Sequence, residues 1–359
     1  MTLRGAVVTT HRWIGLTAAA LWLLQAATGI FAVFHWEIDD AITAGVHQKT
    51  DLKAIERRLH GLSPHSIWST ASAPDRYDVF VADRVMRIDG AGNVLRIRRD
   101  DEKFADGGIV ETLVVLHQSL LAGRGGRWII GTSGLFLLSN LILGIIAAWP
   151  RVGQWKRALK PSSGGSRVAW LYSWHRAVGL WLAIPALCLV TAGVLLAFEE
   201  ATEFLLHPAP VEPKAQPSSA PLRIGMAEAT DTALARYPGA RVSGIGFPSR
   251  ENAVWAITIK QRGELQRAYG KTRVFISAAD GRIVADFNAL RAPPTRRVLN
   301  LLFPLHTGEM FGLPGRIGAL LIGTWLIAMI VLGVALSWTR RSVSLRPRTR
   351  ARIPSIKRR

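Results

Sequence analysis

Four of the nine histidines in this sequence stand in two pairs at fixed offsets, each followed by an arginine. His11-Arg12 recurs as His175-Arg176, at an offset of 164 (175 − 11). His117, with Arg127 beyond it, recurs as His306, with Arg316 beyond it, at an offset of 189 (306 − 117). A neutral imidazole offers one lone pair to a metal, and two imidazoles facing one another supply the axial ligands of a six-coordinate b-type haem. Arginines at the headgroup level can pair with the propionates of such a group. Gly123, Gly126, Gly312 and Gly315 would let a flat macrocycle approach the backbone, and Trp13 and Trp174 could pack on it. A plainer reading stands beside this one: histidine and arginine at a membrane surface often only anchor helix ends, and glycine at a helix start is ordinary turn chemistry. The two readings part on geometry, because ligation requires the members of each pair to meet.

The remaining histidines, His35, His47, His60, His65 and His207, read as surface residues. His35, whose counterpart at the first offset is Glu199, is the alternative ligand to test. Glu199, Glu200 and Glu203 could bind iron or cap a helix, and capping is the simpler role. The single cysteine, Cys188, lies in an apolar run. That excludes an intrachain disulfide, a cysteine-rich metal site and covalent haem attachment.

The elements that must position these residues are membrane helices. Hydrophobic residues make up 49% of the 359, yet the formal net charge is +20. Four apolar runs, Trp13–Phe34, Trp128–Trp149, Val178–Phe198 and Ile317–Trp338, each approach the roughly 20 residues that cross a bilayer. Gln25, Ser139 and Asn140 are polar residues within them that favour helix–helix contact over lipid. Pro185 is expected to kink the third. The first run is longer than a signal-peptide core and no small-x-small site follows it, so it reads as an uncleaved anchor.

The charge sets the orientation. Basic residues crowd into 1–12, 151–176 and the tail from Arg340 to Arg359, and none of these stretches holds an acidic residue. The positive-inside rule places all three, and with them both termini, in the cytoplasm of a bacterial inner-membrane protein. A basic tail beside a membrane helix is expected to touch anionic lipid headgroups, and without interleaved aromatics it argues against nucleic acid. The expected organisation is span 1 within 1–34, an outer segment 35–127, span 2 at 128–149, a basic cytoplasmic loop 150–177, span 3 at 178–198, a second outer segment 199–316, span 4 at 317–338 and a cytoplasmic tail 339–359.

The offsets extend beyond the histidines. Gly15-Leu16 matches Gly179-Leu180, Gly29 matches Gly193, Gly144 matches Gly333, Trp149 matches Trp338 and Gly92 matches Gly281. Coincidence in apolar sequence would align Leu and Val instead, so the chain reads as a duplicated unit of helix, outer module and helix. The fold class expected is a membrane four-helix bundle of two duplicated helix pairs carrying two small α+β modules. In the second module Met226–Arg236 reads as a helix, Tyr237-Pro238-Gly239 ends it, and alternating strands cover Trp255–Lys260 and Arg273–Ser277. In the first, Asp51–Leu59 is helical, and Tyr77–Ala82 and Val85–Ile88 are strands. No nucleophile arrangement or phosphate loop accompanies them.

The motif His11-Arg12-Trp13-Ile14-Gly15-Leu16, its copy at His175, and the Leu-His…Gly-x-x-Gly-Arg patterns at His117 and His306 resemble the PepSY-associated transmembrane family. The stretch from the Ala-rich helix through Tyr237-Pro238-Gly239 to Asp280-Gly281 is similar to a PepSY domain, a pattern the first module follows poorly. The resemblance implies an inner-membrane reductase with non-covalent haem b, two per chain, that reduces the iron of a ferric siderophore on the outer side. His11, His175, His117 and His306 would be the iron ligands, with Arg12, Arg176, Arg127 and Arg316 beside them. No nicotinamide or flavin fingerprint follows a strand, so the electron donor, quinol or a cytoplasmic reductase, must be another molecule. The contrasting expectation is a non-enzymatic, membrane-anchored binding or regulatory protein of PepSY type.

Overall fold

The computed structural model describes residues 2–344 apart from 46, 72, 74, 100–103, 105–107 and 215–221. The arginine-rich tail beyond 344 and residues 215–221, the end of a Pro- and Ser-rich stretch that begins at His207, lie outside the described residues. The first half runs α1 (Leu3–Ala32), α2 (His35–Ile42), α3 (Leu52–Leu59), β1 (Ser66–Ser69), β2 (Arg76–Val81), β3 (Arg84–Asp89), β4 (Val94–Arg99), α4 (Gly108–Ser119) and α5 (Gly123–Ala148). After the short α6 (Trp155–Leu159) come α7 (Arg167–Trp181), α8 (Ala183–Ala197), α9 (Glu199–Leu206), α10 (Met226–Arg236), β5 (Arg241–Gly246), β6 (Val254–Lys260), β7 (Thr272–Ser277), β8 (Ile283–Phe287), α11 (Pro294–Thr307) and α12 (Gly312–Ser344).

Among the described residues, α1, α5 and α12 are long and apolar enough to cross a membrane, and α7 with α8 makes a fourth span if the bent pair counts as one. The two meet at Leu182 with a bend of 64°. The cause is Pro185, which has no N–H to give the Trp181 carbonyl and whose ring would collide with it. The expected single span at 178–198 is therefore corrected to two helices with a break inside the apolar run. The other helices outrun their apolar cores: α1 begins at Leu3, where the Thr2 side chain accepts the Gly5 N–H, and α12 ends beyond Trp338. His11 and His175 consequently lie within helices rather than ahead of them.

The outer modules also differ from expectation. Their strands form one antiparallel eight-stranded sheet in the order β4-β3-β2-β1-β5-β6-β7-β8, joined where β1 pairs with β5 (Ser66↔Gly246, Ile67↔Ile245, Trp68↔Gly244). Side chains alternate between its faces. One face, with Ile67, Val79, Ile88, Ile245, Ile257 and Val274, packs under α3 and α10 in a single apolar core. The opposite face looks toward the helices, and α2, which continues α1, docks on it. There Asp39 accepts two bonds from Arg96 at 2.8 and 2.9 Å and lies 2.6 Å from Arg87, while Asp78 accepts from Arg87 at 2.8 and 2.7 Å.

Candidate functional site

Each of the four repeated histidines is positioned by the same local device. The His11 ring on α1 lies against Gly144 of α5, and its Nδ1 is 3.0 Å from the carbonyl oxygen of Asn140, one turn before that glycine. His117 on α4 lies against Gly29 of α1, with Nδ1 3.1 Å from the Gln25 carbonyl. His306 on α11 lies against Gly193 of α8, with Nδ1 2.9 Å from the Leu189 carbonyl. His175 on α7 lies against Gly333 of α12, and its Nδ1 faces the Met329 carbonyl without reaching full hydrogen-bond geometry. A bond from Nδ1–H to a helix carbonyl fixes the tautomer and leaves the Nε2 lone pair free. None of the four Nε2 atoms has a hydrogen-bond partner among the described residues.

The space for each ring exists because the facing residue is glycine. A Cβ at Gly193 would lie 2.6 Å from His306 Cε1, and one at Gly29 would lie 2.9 Å from His117 Cε1. At Gly144 and Gly333 the corresponding distances to His11 and His175 are 3.1 and 3.2 Å. These four glycines were legible only as matched positions. Gly126 and Gly315, expected beside a macrocycle, instead let helix starts fold tightly onto Ser119 and Gly308.

The pairs meet across the two halves of the chain. The rings of His11 and His175 have centres 6.1 Å apart and planes 58° apart, and those of His117 and His306 have centres 6.1 Å apart and planes 26° apart. An imidazole nitrogen bound to a first-row metal lies about 2 Å from it and the ring centre about 1 Å beyond, so two axial imidazoles on one iron have centres about 6 Å apart. Both separations fit that requirement. Around His11 and His175 opens a cavity of about 600 Å³ floored by Trp22 and Trp325, within the usual range for a cofactor site. Trp22 is fixed by its bond to Ser133 Oγ at 3.0 Å, and Trp325 by its bond to the Val178 carbonyl at 2.7 Å.

The arginines divide. Arg12 and Arg176 line this cavity, joined by Arg4 and Arg340, which the spacing argument had missed. Arg176 Nε reaches the Ala148 carbonyl at 3.3 Å, and Arg12 lies 5.8 Å from the ring of Trp13. At the sheet end Arg316 is engaged by an acid. It bonds both oxygens of Glu37, at 2.5 and 2.7 Å, and stacks 4.4 Å from the ring of Phe34. Burial alone would raise the Glu37 carboxyl, but the bonds from Arg316 hold it below its ordinary value. Arg127 is exposed on α5.

His35 bonds the Ala32 carbonyl at 2.6 Å and stacks on Trp36. Glu200 pairs with Arg124 and Glu203 with Arg296, so these acids bridge elements. Among the described residues no cluster of three or more His, Cys, Asp or Glu could hold a metal ion.

No curated protein matches the chain. The family described as the PepSY-associated TM region matches residues 8–341, which takes in both histidine pairs and the whole sheet and reaches into every candidate span. With three to four apolar helices under a match of that extent, this chain is a membrane protein that belongs to the PepSY-associated TM family.

Proposed function

We propose that this chain is a duplicated, haem-dependent reductase of the bacterial inner membrane that delivers electrons to the ferric iron of a siderophore on the sheet side. The observation that carries the reading is the pair of 6.1 Å imidazole separations, each built from two halves of the chain and each resting on glycine. His11 with His175 would hold one haem b and His117 with His306 the other, and haem supplies reversible one-electron chemistry when bound. The chain's own part is to hold the imidazoles of His11, His117 and His306 through helix carbonyls, to seat all four rings against glycine, and to surround them with helix surface. Arg4, Arg12, Arg176 and Arg340 surround the first pair and would neutralise carboxylates there. The basic loop and tail favour a cytoplasmic location for both termini and contact with anionic lipids. The donor is a separate molecule, quinol or a cytoplasmic reductase.

The test is a reduced-minus-oxidised visible spectrum of the purified full chain with acid extraction of the pigment. Two extractable b-type haems per chain are expected, with His175→Ala and His306→Ala each removing a different one. A colourless protein that stays folded sinks the reading and leaves a membrane-anchored binding protein.

A further inference from the structure

The helix-facing surface of the sheet balances its cations differently in its two halves, although buried guanidinium N–H groups without an acceptor occur in both, Arg76 Nε and Arg87 Nη1 being those of the first. Across β2–β4 every guanidinium meets a carboxylate: Arg87 lies between Asp39 and Asp78, Arg96 is forked by Asp39, and Arg76 is paired with Asp40 at 2.7 Å. The matching region of the second half, between β7, the loop before it and α11, gathers Arg267, Lys271, Arg273 and Arg296. Lys271 and Arg273 point to the same side of β7 and its approach, since side chains alternate along a strand. Arg267 Nη1 donates to the Asn300 carbonyl at 3.1 Å and its guanidinium lies over Phe303. Asn300 stands one helical turn from Arg296 on the same face of α11.

The donors here outnumber their acceptors. Arg296 reaches Glu203 at 3.3 Å and the Ala209 carbonyl at 2.8 Å, and Arg273 reaches Glu212 at 2.6 Å. The Nε–H groups of Arg267, Arg273 and Arg296 are all buried with no acceptor among the described residues. The Lys271 ammonium has no hydrogen-bond partner among them either. Nearby acids are already engaged: Glu264 accepts from the Lys271 N–H and Thr272, and Glu309 accepts from the Ala268 N–H. Burial, with Arg267, Arg273 and Arg296 around it and only Glu199 opposing them, pushes the Lys271 amine down to about 8. Buried N–H groups on cations that lack an acceptor are donors that an anion can satisfy. A guanidinium presents its donors in a fixed fork that matches the two oxygens of a carboxylate group.

We infer that Arg267, Lys271, Arg273 and Arg296 form a binding site for a carboxylate-bearing ligand between the sheet and α11. Two sources present that chemistry: a soluble carboxylate outside the membrane, or the propionate of a macrocycle held by His117 and His306. The second source rests on the function proposed above and the first does not. The probe is citrate, titrated by calorimetry into the full chain in detergent, with inorganic phosphate as the comparison. Saturable citrate binding is expected, about tenfold weaker in Lys271→Gln and Arg267→Gln, retained in Lys271→Arg, and unchanged in the exposed loop variant Arg262→Gln. If the source is a propionate, citrate binds only when His306→Ala has emptied the outer pair, and Lys271→Gln loses pigment from wild-type membranes. A second readout needs no variant: citrate, or the bound macrocycle, should shield Lys271 from acetylation as followed by mass spectrometry. Lys271 that acetylates freely in every state, with citrate binding and pigment indifferent to Lys271→Gln, overturns the site. A colourless protein that still binds citrate overturns the haem reading and leaves this one standing.

Discussion

At the scale of single residues the histidines are held less by their own helices than by the glycines opposite them. The tightness is graded, which makes it testable. A methyl placed at Gly193 would press 2.6 Å from His306, at Gly29 2.9 Å from His117, at Gly144 3.1 Å from His11 and at Gly333 3.2 Å from His175. Real Cβ contacts do not survive the first two distances without movement, whereas the last two need only a small shift. Overpacking a helix contact costs about 1–3 kcal/mol. Gly193→Ala and Gly29→Ala are therefore expected to lower the unfolding temperature of the full chain and displace the sheet-end pair. Gly333→Ala should lie close to the parent. Thermal unfolding in detergent checks the order, and equal losses from all four would remove glycine relief as the device. The histidines were legible because four of them repeat at constant offsets with arginine beside them. The glycines were visible in the same alignment, but only as markers of repetition. Their role needs the facing helix, and no local pattern says which helix faces which. Arg316 shows the converse: its spacing from His306 matched that of Arg127 from His117, yet Glu37, far away in sequence, claims its guanidinium.

At the scale of elements the informative joint is α2 with the sheet. Asp39 carries two buried arginines, Arg87 and Arg96, whose side chains are 6% and 15% exposed. Burial alone would raise the Asp39 carboxyl, but the bonds from Arg96 and the charge of Arg87 outweigh it and hold the carboxyl below its ordinary value. A carboxylate lowered in the folded state adds stability above its unfolded value and gives it up as pH falls through the folded one. The joint is thus at full strength at neutral pH and weakens below about pH 4. Asp39→Asn is expected to cost about 3 kcal/mol, because two desolvated guanidinium groups lose their shared counter-charge. It should also flatten the acid limb of the stability profile measured by unfolding between pH 3 and 7. A variant as stable as the parent with an unchanged acid limb would mean that Asp39 is not the clamp. Helices α1, α5 and α12 were readable because apolar length is a property of composition. The break at Leu182 was not, since Leu182 is as apolar as its neighbours and a hydropathy window passes through it. Pro185 announced a kink, but the depth of the break depends on the carbonyl of Trp181 that it cannot satisfy.

At the scale of the whole molecule the sheet is the feature that sequence reading placed in pieces. Two small modules were expected, with nothing said of their joining, since strand pairing between distant segments leaves no periodic trace. Each module alone would expose a strand edge, β1 in one and β5 in the other, and a bare edge invites pairing with another chain. Joining them removes both edges and places α3 and α10 side by side over one core, where Glu56 of α3 accepts the Met226 N–H of α10 at 2.7 Å. The seam is short, three residue pairs, with Ile67 opposite Ile245 at its centre and Trp68 laid on Gly244. A Cβ at Gly244 would stand 2.5 Å from the Trp68 ring, so any larger residue must lift that ring or part the strands. Trp68 also meets Tyr269 edge to face, and Tyr269 meets Trp36 at the start of α2 in the same way, so the seam is tied to α2. Gly244→Val is therefore expected to open the seam while sparing the outer strands. In hydrogen exchange of the full chain the amides of β1 and β5 should lose protection by about tenfold or more, as local opening becomes cheaper than global unfolding. Those of β3 and β7 should stay slow. Uniform loss across all eight strands would mean that the sheet unfolds as one unit, and unchanged β1 and β5 would mean that Trp68 moves aside without cost. Selective loss at the seam is the outcome required if two modules, rather than one indivisible sheet, bridge the halves that each give one histidine to each pair.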